Sequence, residues 1–371
     1  VTDRIRRSLF SFSLVFSIAG CASKILSADN SNDILKHDEY EKSISIKEIG
    51  PDDGKSGLYV RLPGPEPVAS VLVVPEASQE PSKKKSHKGT GRNAGKPLVG
   101  RKAHKDDSEG DGVQPAVPAG HQPALEDSEG YTGRRPNKDP FRIGEKTVME
   151  ASYFSVVAGD FTIEVRPFVV VNGHKSYHFV GTAKTSSVFE VFYAIDDWFE
   201  TFLDFETMVP YSYSLHVKET KQLRETRTLF DWPKARAFMW DKKINEEKKL
   251  EEKNQDWELL PYSQNVFSAA FYLRTITLSP GKKFAFRLSH EKENLVISGE
   301  VLRKEHISTE AGEFDTVVVK PQIALNGIFK PVGDIFFWLT DDDRKYIVRI
   351  ETKIKIGKVV AEAKKIVPGD E

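Results

Sequence analysis

From Phe141 onward, apolar and polar residues alternate with the period of two that a β-strand imposes on a sheet with one buried face. Phe168 to Val171, then Asn172-Gly173, then Ser176 to Thr182 predicts a hairpin, because Asn-Gly supplies the two positive φ angles of a type I′ turn. Ser279-Pro280-Gly281 and Asn326-Gly327 are punctuation of the same kind. Near the end, Tyr346, Val348, Ile350, Thr352, Ile354 and Ile356 alternate with Lys345, Ile347, Arg349, Glu351, Lys353 and Lys355, which predicts one apolar and one mainly charged face. Asn265 to Arg274 instead has helical spacing at Val266, Ala269, Ala270 and Leu273, with Ser263 as its starter. The charged run Asp241 to Asp256 reads as a solvated hairpin extension. One helix among many strands predicts a mainly β, α+β fold with an antiparallel sheet.

The front of the chain is patterned differently. Leu9 to Ala19 is an apolar run preceded by Arg4, Arg6 and Arg7, with the length of a signal h-region and too few residues to span a bilayer. It ends in Ile18-Ala19-Gly20-Cys21, which resembles a bacterial lipobox. The expectation is cleavage before Cys21 and acylation of its thiol and freed amine, so that the chain meets a membrane through lipid on Cys21. Ala22 and Ser23 follow where an inner-membrane retention signal would have Asp, which points to the outer membrane with the domain facing the periplasm or the cell surface. The expected organisation is therefore a signal peptide over 1–20, a polar segment over 21–57 and a short β segment over 58–74 (Leu58-Tyr59-Val60 and Val68 to Val74). A disordered charged linker over 75–139 and a β-rich domain over 140–367 follow. Such a linker wanders about 40 to 45 Å by random-coil scaling, which would let the domain work away from its membrane.

Composition changes this picture little. The 371 residues include 54 Lys and Arg against 55 Asp and Glu, so no basic field favours nucleic acid as a partner. Cys21 is the one cysteine, which excludes an internal disulfide and a cysteine-built metal site.

Candidate chemistry is sparse. Asp341, Asp342 and Asp343 form the densest carboxylate cluster, but without EF-hand spacing they read as a turn in which Thr340 or Asp341 bonds its own backbone. Asp196-Asp197 could supply a general acid, although no second carboxylate can be paired with it from sequence, and a strand start is favoured. His174 and His178 could share a strand face without an evident third ligand, so neither a metal nor a cofactor is expected. No nucleophile elbow, phosphate loop or zinc-protease helix is present. The aromatics Trp198, Phe202, Phe267, Phe271 and Trp338 are candidates for lining a groove, and equally for the core between sheet and helix.

Several pieces recur in an order and spacing that resemble a known family. They are Pro140-Phe141, Gly144-Glu145, Ala158-Gly159-Asp160, Asp197 to Leu203, Thr207 to Pro210 and the predicted helix at Asn265, followed by Pro280-Gly281, Ala311 to Phe314 and Trp338 to Asp342. This series resembles the bacterial envelope family called domain of unknown function 3108, over roughly Pro140 to Lys365. Asn265, where an acidic residue is common, and the insertion Asp241 to Asp256 are departures. The resemblance implies a strongly curved antiparallel sheet or half-open barrel with one helix on its concave face, similar to lipoprotein carriers. It implies no reaction. The leading expectation is a non-catalytic envelope lipoprotein that binds an amphiphile or a protein partner in outer-membrane transport or maintenance. The alternatives are a glycan or peptidoglycan-binding module and an envelope-polymer hydrolase.

Overall fold

The structure is a computed structural model that describes residues 25–26, 34–49, 131–132, 135–136, 138–325, 328–330, 335–353 and 357–370. Cys21, the segment 58–74 and most of the expected linker lie outside these residues, as do Asn326-Gly327, Ile354 and Ile356. The first elements are α1 (Asp38–Ser43), β1 (Ile46–Glu48) and the small pair β2 (Tyr131–Thr132) and β3 (Arg135–Pro136). Next come β4 (Lys146–Tyr153), β5 (Val156–Val171), β6 (His174–Thr185), α2 (Ser187–Glu190), β7 (Asp196–Asp204), β8 (Pro210–Lys218) and β9 (Gln222–Asp231). After β10 (Arg236–Asn245) and β11 (Leu250–Glu258) the chain enters α3 (Ser268–Leu273). It closes with β12 (Lys283–His290), β13 (Glu293–Thr309), β14 (Gly312–Leu325), β15 (Ile328–Lys330), β16 (Ile335–Thr340), β17 (Ile347–Lys353) and β18 (Lys358–Val367).

One antiparallel sheet runs β11-β10-β9-β8-β7-β6-β5-β4-β18-β17-β16-β14-β13-β12, with β1 on β5 and β15 on β14. The expected hairpin is present: Asn172 (φ 49) and Gly173 (φ 88) join β5 to β6. Bulges at Ala151/Ser152, Arg166/Val169 and Val301/Arg303 bend the long strands and increase the curl. The curl brings the two edge strands face to face without a ladder between them. Trp257 Nε1 donates to Ser289 Oγ at 2.7 Å, Asn294 Nδ2 donates to the Glu258 carbonyl at 3.0 Å, and Gln264 makes one parallel bridge with Leu288. The fold is thus mainly β, with a large antiparallel sheet that is not closed into a barrel.

α3 fills the concave side. Phe271 stacks on Phe179 at 4.0 Å and Phe267 on Phe199 at 4.1 Å, while Tyr272 meets Phe286 edge-on. The helix is shorter than the periodicity predicts, and its starter is Asn265 rather than Ser263. Asn265 Oδ1 accepts the backbone N–H groups of Phe267 and Ser268, and its Nδ2 donates to Thr201 Oγ1 on β7 at 2.9 Å. Ser263 Oγ bonds the Leu260 carbonyl instead.

Two further sequence expectations need correction. The single apolar face expected from Tyr346 onward is interrupted, because Trp338 pairs with Arg349 but Leu339 pairs with Ile347, leaving an extra residue in β17. Ile347 and Ile350 therefore pack in the central core, whereas Tyr346 and Val348 join a separate cluster. The insertion is the expected hairpin, β10–β11, but Asp241 is buried, with Arg224 Nε and Thr226 Oγ1 each at 2.6 Å from its Oδ1.

The polar N-terminal segment crosses the outer face of the sheet as a strap. Leu26 N–H donates to the Glu219 carbonyl at 3.0 Å, and Leu26 packs with Leu35, Leu223 and Ile244. His37 Nε2 lies 3.0 Å from the Glu225 carbonyl, Tyr40 hydroxyl 2.7 Å from Ser212 Oγ, and β1 pairs with Val169 to Val171. The end of the expected linker also touches the domain: the Arg135 guanidinium lies over the Phe205 ring and pairs with Asp139 at 2.9 Å.

Candidate functional site

The antiparallel order gives the sheet two ends. The upper end carries the β4–β5, β6–β7 and β8–β9 connections, and the lower end carries the β5–β6 and β7–β8 turns. The five aromatics expected to line a groove do not come together. Phe267 and Phe271 lie in the interior. Trp198 and Phe202 occupy the other face of β7 from Phe199 and Leu203, because side chains alternate along a strand. Trp198 stacks on His216, and Phe202 is buried against the His178 ring. Trp338 sits apart with Ile307, Val318 and Val348, under the Arg349 guanidinium. A groove built from these five is therefore corrected: Trp198 and Trp338 lie apart, and Phe202, Phe267 and Phe271 are packed core.

The histidines separate too. His174 faces Asp204 at 3.6 Å and His178 faces Glu200 at 3.1 Å, with no common partner. Among the described residues no group of three acidic, histidine or cysteine side chains could hold a metal. Asp341 to Asp343 form the expected turn: Thr340 Oγ1 accepts the Tyr346 N–H at 2.9 Å, and Asp342 Oδ1 accepts from the backbone N–H groups of Arg344 and Lys345 and from Thr340 Oγ1.

The upper end holds what periodicity did not single out. Phe154 (64% exposed) stands on the β4–β5 connection with Val156 and Val157 at the start of β5, and Val188, Val191 and Phe192 (60%) stand between β6 and β7. The two segments are joined where Ser186 N–H donates to the Ala158 carbonyl and Ser186 Oγ to the Val157 carbonyl, both at 2.9 Å. Six exposed apolar side chains at one end of a sheet are more than the scattered surface residues every protein carries. Directly below lies a carboxyl pair, Asp197 and Glu219, that sequence could not assemble because one lies at the start of β7 and the other just after β8, 22 positions on. Burial, then the Glu219 carboxylate, pushes Asp197 up to about 8. Burial raises Glu219 as well, and its Oε2 accepts from Tyr193 hydroxyl (2.7 Å) and Gln222 Nε2 (2.6 Å). Thr220 Oγ1 accepts the Ala194 N–H at 2.8 Å, so the β8–β9 turn holds the apolar loop in place.

The family model described as a protein of unknown function, DUF3108, matches residues 148–364. The chain belongs to the DUF3108 family. The match runs from β4 into β18, so the DUF3108 region contains the apolar upper end, the carboxyl pair and α3, while the strap lies before it. No curated protein sequence matches the chain. Among solved structures, a beta-barrel-like protein of DUF1849 from Brucella abortus is similar at 11% identity and a TM-score of 0.39, covering 62% of this chain and 99% of its own. A protein with YmcC-like fold from Bacteroides fragilis is similar at 12% identity and a TM-score of 0.29, covering 62% and 98%.

The lower end of the DUF3108 domain is sealed by charge. Glu145 takes Arg274 Nη1 at 2.6 Å and Arg344 Nη2 at 2.8 Å, and Arg274 Nη2 also donates to the Pro140 and Arg344 carbonyls. With α3 above it, this network leaves the described interior as packed core. The surface available for contact is on the outside.

Proposed function

We propose that this DUF3108 protein is an envelope lipoprotein, anchored through Cys21, whose domain binds an amphiphile or a protein partner without catalysing a reaction. The observation that carries the reading is the apolar upper end, where Phe154, Val188, Val191 and Phe192 are exposed on connections held by hydrogen bonds. The filled concave side argues against an acyl chain held within the sheet and moves the contact to this end. The signal run and the Ile18-Ala19-Gly20-Cys21 motif support the anchor and an outer-membrane location.

Asp197 and Glu219 do not argue for a hydrolase. Glycoside hydrolysis needs carboxyl groups about 5 to 9.5 Å apart, whereas these two are hydrogen-bonded to each other and Glu219 holds the loop through Tyr193. Native mass spectrometry of membrane-extracted protein tests the binding reading. Retained lipid or a stoichiometric partner, lost in Phe192→Ser, is the expected result. Unchanged retention in that variant, or turnover of an envelope polymer abolished by Asp197→Asn, would overturn it.

A further inference from the structure

The strap enters the domain at its upper end. Leu26 is hydrogen-bonded to Glu219, whose side chain takes the Tyr193 hydroxyl, and Tyr193 directly follows the exposed Phe192. Cys21 precedes Leu26 by only five residues, a span of at most about 18 Å of extended chain. The charged linker expected over 75–139 follows the strap in sequence, so it does not separate Cys21 from the domain. A lipid on Cys21 would therefore keep the upper end close to its bilayer, and that end is the one carrying six exposed apolar side chains. Lys184 and Lys358 stand exposed at this end, Lys358 paired with Glu351 at 3.0 Å and Lys184 cross-strand between Asp160 and Asp196, with Glu190 on the β6–β7 loop. Lysines around an apolar tip suit an interface, since their stems cover apolar surface while their ammonium groups stay among headgroups.

We propose that the upper end is a membrane-contact surface, with Phe154, Val191 and Phe192 entering the interfacial layer of the bilayer that holds Cys21. The inference rests on the lipid-anchored reading and adds an orientation to it: strands upright, upper end down, and the Asn172–Gly173 turn far from the lipid. The anchor makes contact by the tip an intramolecular event, so a patch of modest area suffices to set the orientation. A second copy of the chain could cover the same patch, but it would leave unexplained why the strap begins there.

The mature full-length protein tests this in vesicles of phosphatidylethanolamine and phosphatidylglycerol. Acylation blocks Cys21, so Phe192→Cys or Asn172→Cys carries the one free thiol for a nitroxide label. The expected result is a label at 192 shielded from an aqueous nickel chelate and accessible to oxygen, and a label at 172 fully open to the chelate. Equal chelate access at the two positions on an acylated protein would overturn the proposal. Intact mass reports acylation separately, so loss of the anchor reading is seen independently. The unacylated mature chain, beginning at residue 21 with Cys21→Ser and so without the apolar signal run, provides the second arm: at a large lipid excess it should co-sediment with the same vesicles, at least tenfold less after Phe154→Ser and Phe192→Ser, with the circular dichroism spectrum unchanged. Equal sedimentation of parent and variant, or a dimer in sedimentation velocity that the two serines dissolve, also rejects membrane contact.

Discussion

Arg274 and Glu145 meet at 2.6 Å with each side chain only 3% exposed, one arriving from the end of α3 and the other from the turn before β4. Arg344 supplies the second donor to the same carboxylate, and backbone carbonyls take the remaining Arg274 protons. Removing one partner of such a network leaves a buried charge uncompensated, which costs about 3 to 5 kcal/mol. Glu145→Gln and Arg274→Met should each lower stability by that order in urea denaturation. The double variant Glu145→Leu with Arg274→Met should be less destabilised than the sum of its parts, because the charges leave together.

Gly181 is a packing requirement. A Cβ there would fall 2.1 Å from the Phe199 ring, which is itself stacked on Phe267 and cannot withdraw into the core. Overpacking of this kind costs about 1 to 3 kcal/mol. Gly181→Ala should show that loss in a thermal melt, and pairing it with Phe199→Leu should recover part of it.

How much of this was legible in the sequence depended on the range of the interaction. The Asn172-Gly173 hairpin is local chemistry, and it appears where expected. The strap was not legible, because Leu35 and Tyr40 look like isolated apolar residues in a polar segment until β9, β10 and Ser212, more than 170 positions later, receive them. The aromatic groove failed for a geometric reason: Trp198 and Phe202 differ in parity from Phe199 and Leu203, and alternation puts the two pairs on opposite faces. One extra residue in β17 likewise defeated the alternation read from Tyr346 onward. The upper end escaped notice because Val188, Val191 and Phe192 resemble core residues in composition, and only the fold exposes them.

Asp197 should make stability fall as the medium becomes alkaline. Its carboxyl is pushed up to about 8 by burial and by Glu219, against about 3.9 in an unfolded chain. An acid with a raised folded pKa contributes its full stabilisation below pH ~4 and loses it progressively as pH rises to about 8. Asp197→Asn keeps an oxygen to accept the Lys218 N–H and removes the titration. Urea midpoints for the variant should be flatter between pH 4 and 8, and above pH 8 the variant should be the more stable of the two. Parallel profiles for variant and parent would mean that the two carboxylates do not share a proton.

The strap should open on its own before the sheet unfolds, since it is held by a few side chains on an outer face rather than by the core. Tyr40 is its main fixture, buried with its hydroxyl on Ser212 and its ring against Trp240. Tyr40→Ala should cost about 3 kcal/mol locally, by analogy with truncation of other buried aromatic rings. Hydrogen exchange should then rise across residues 34–48 while α3 and β6 keep their protection. Global loss of protection would instead make the strap part of the cooperative core. Where the strap alone opens, the variant is informative about the anchor, because an opened strap lengthens the chain between Cys21 and the sheet and should free the upper end from any fixed distance to the membrane.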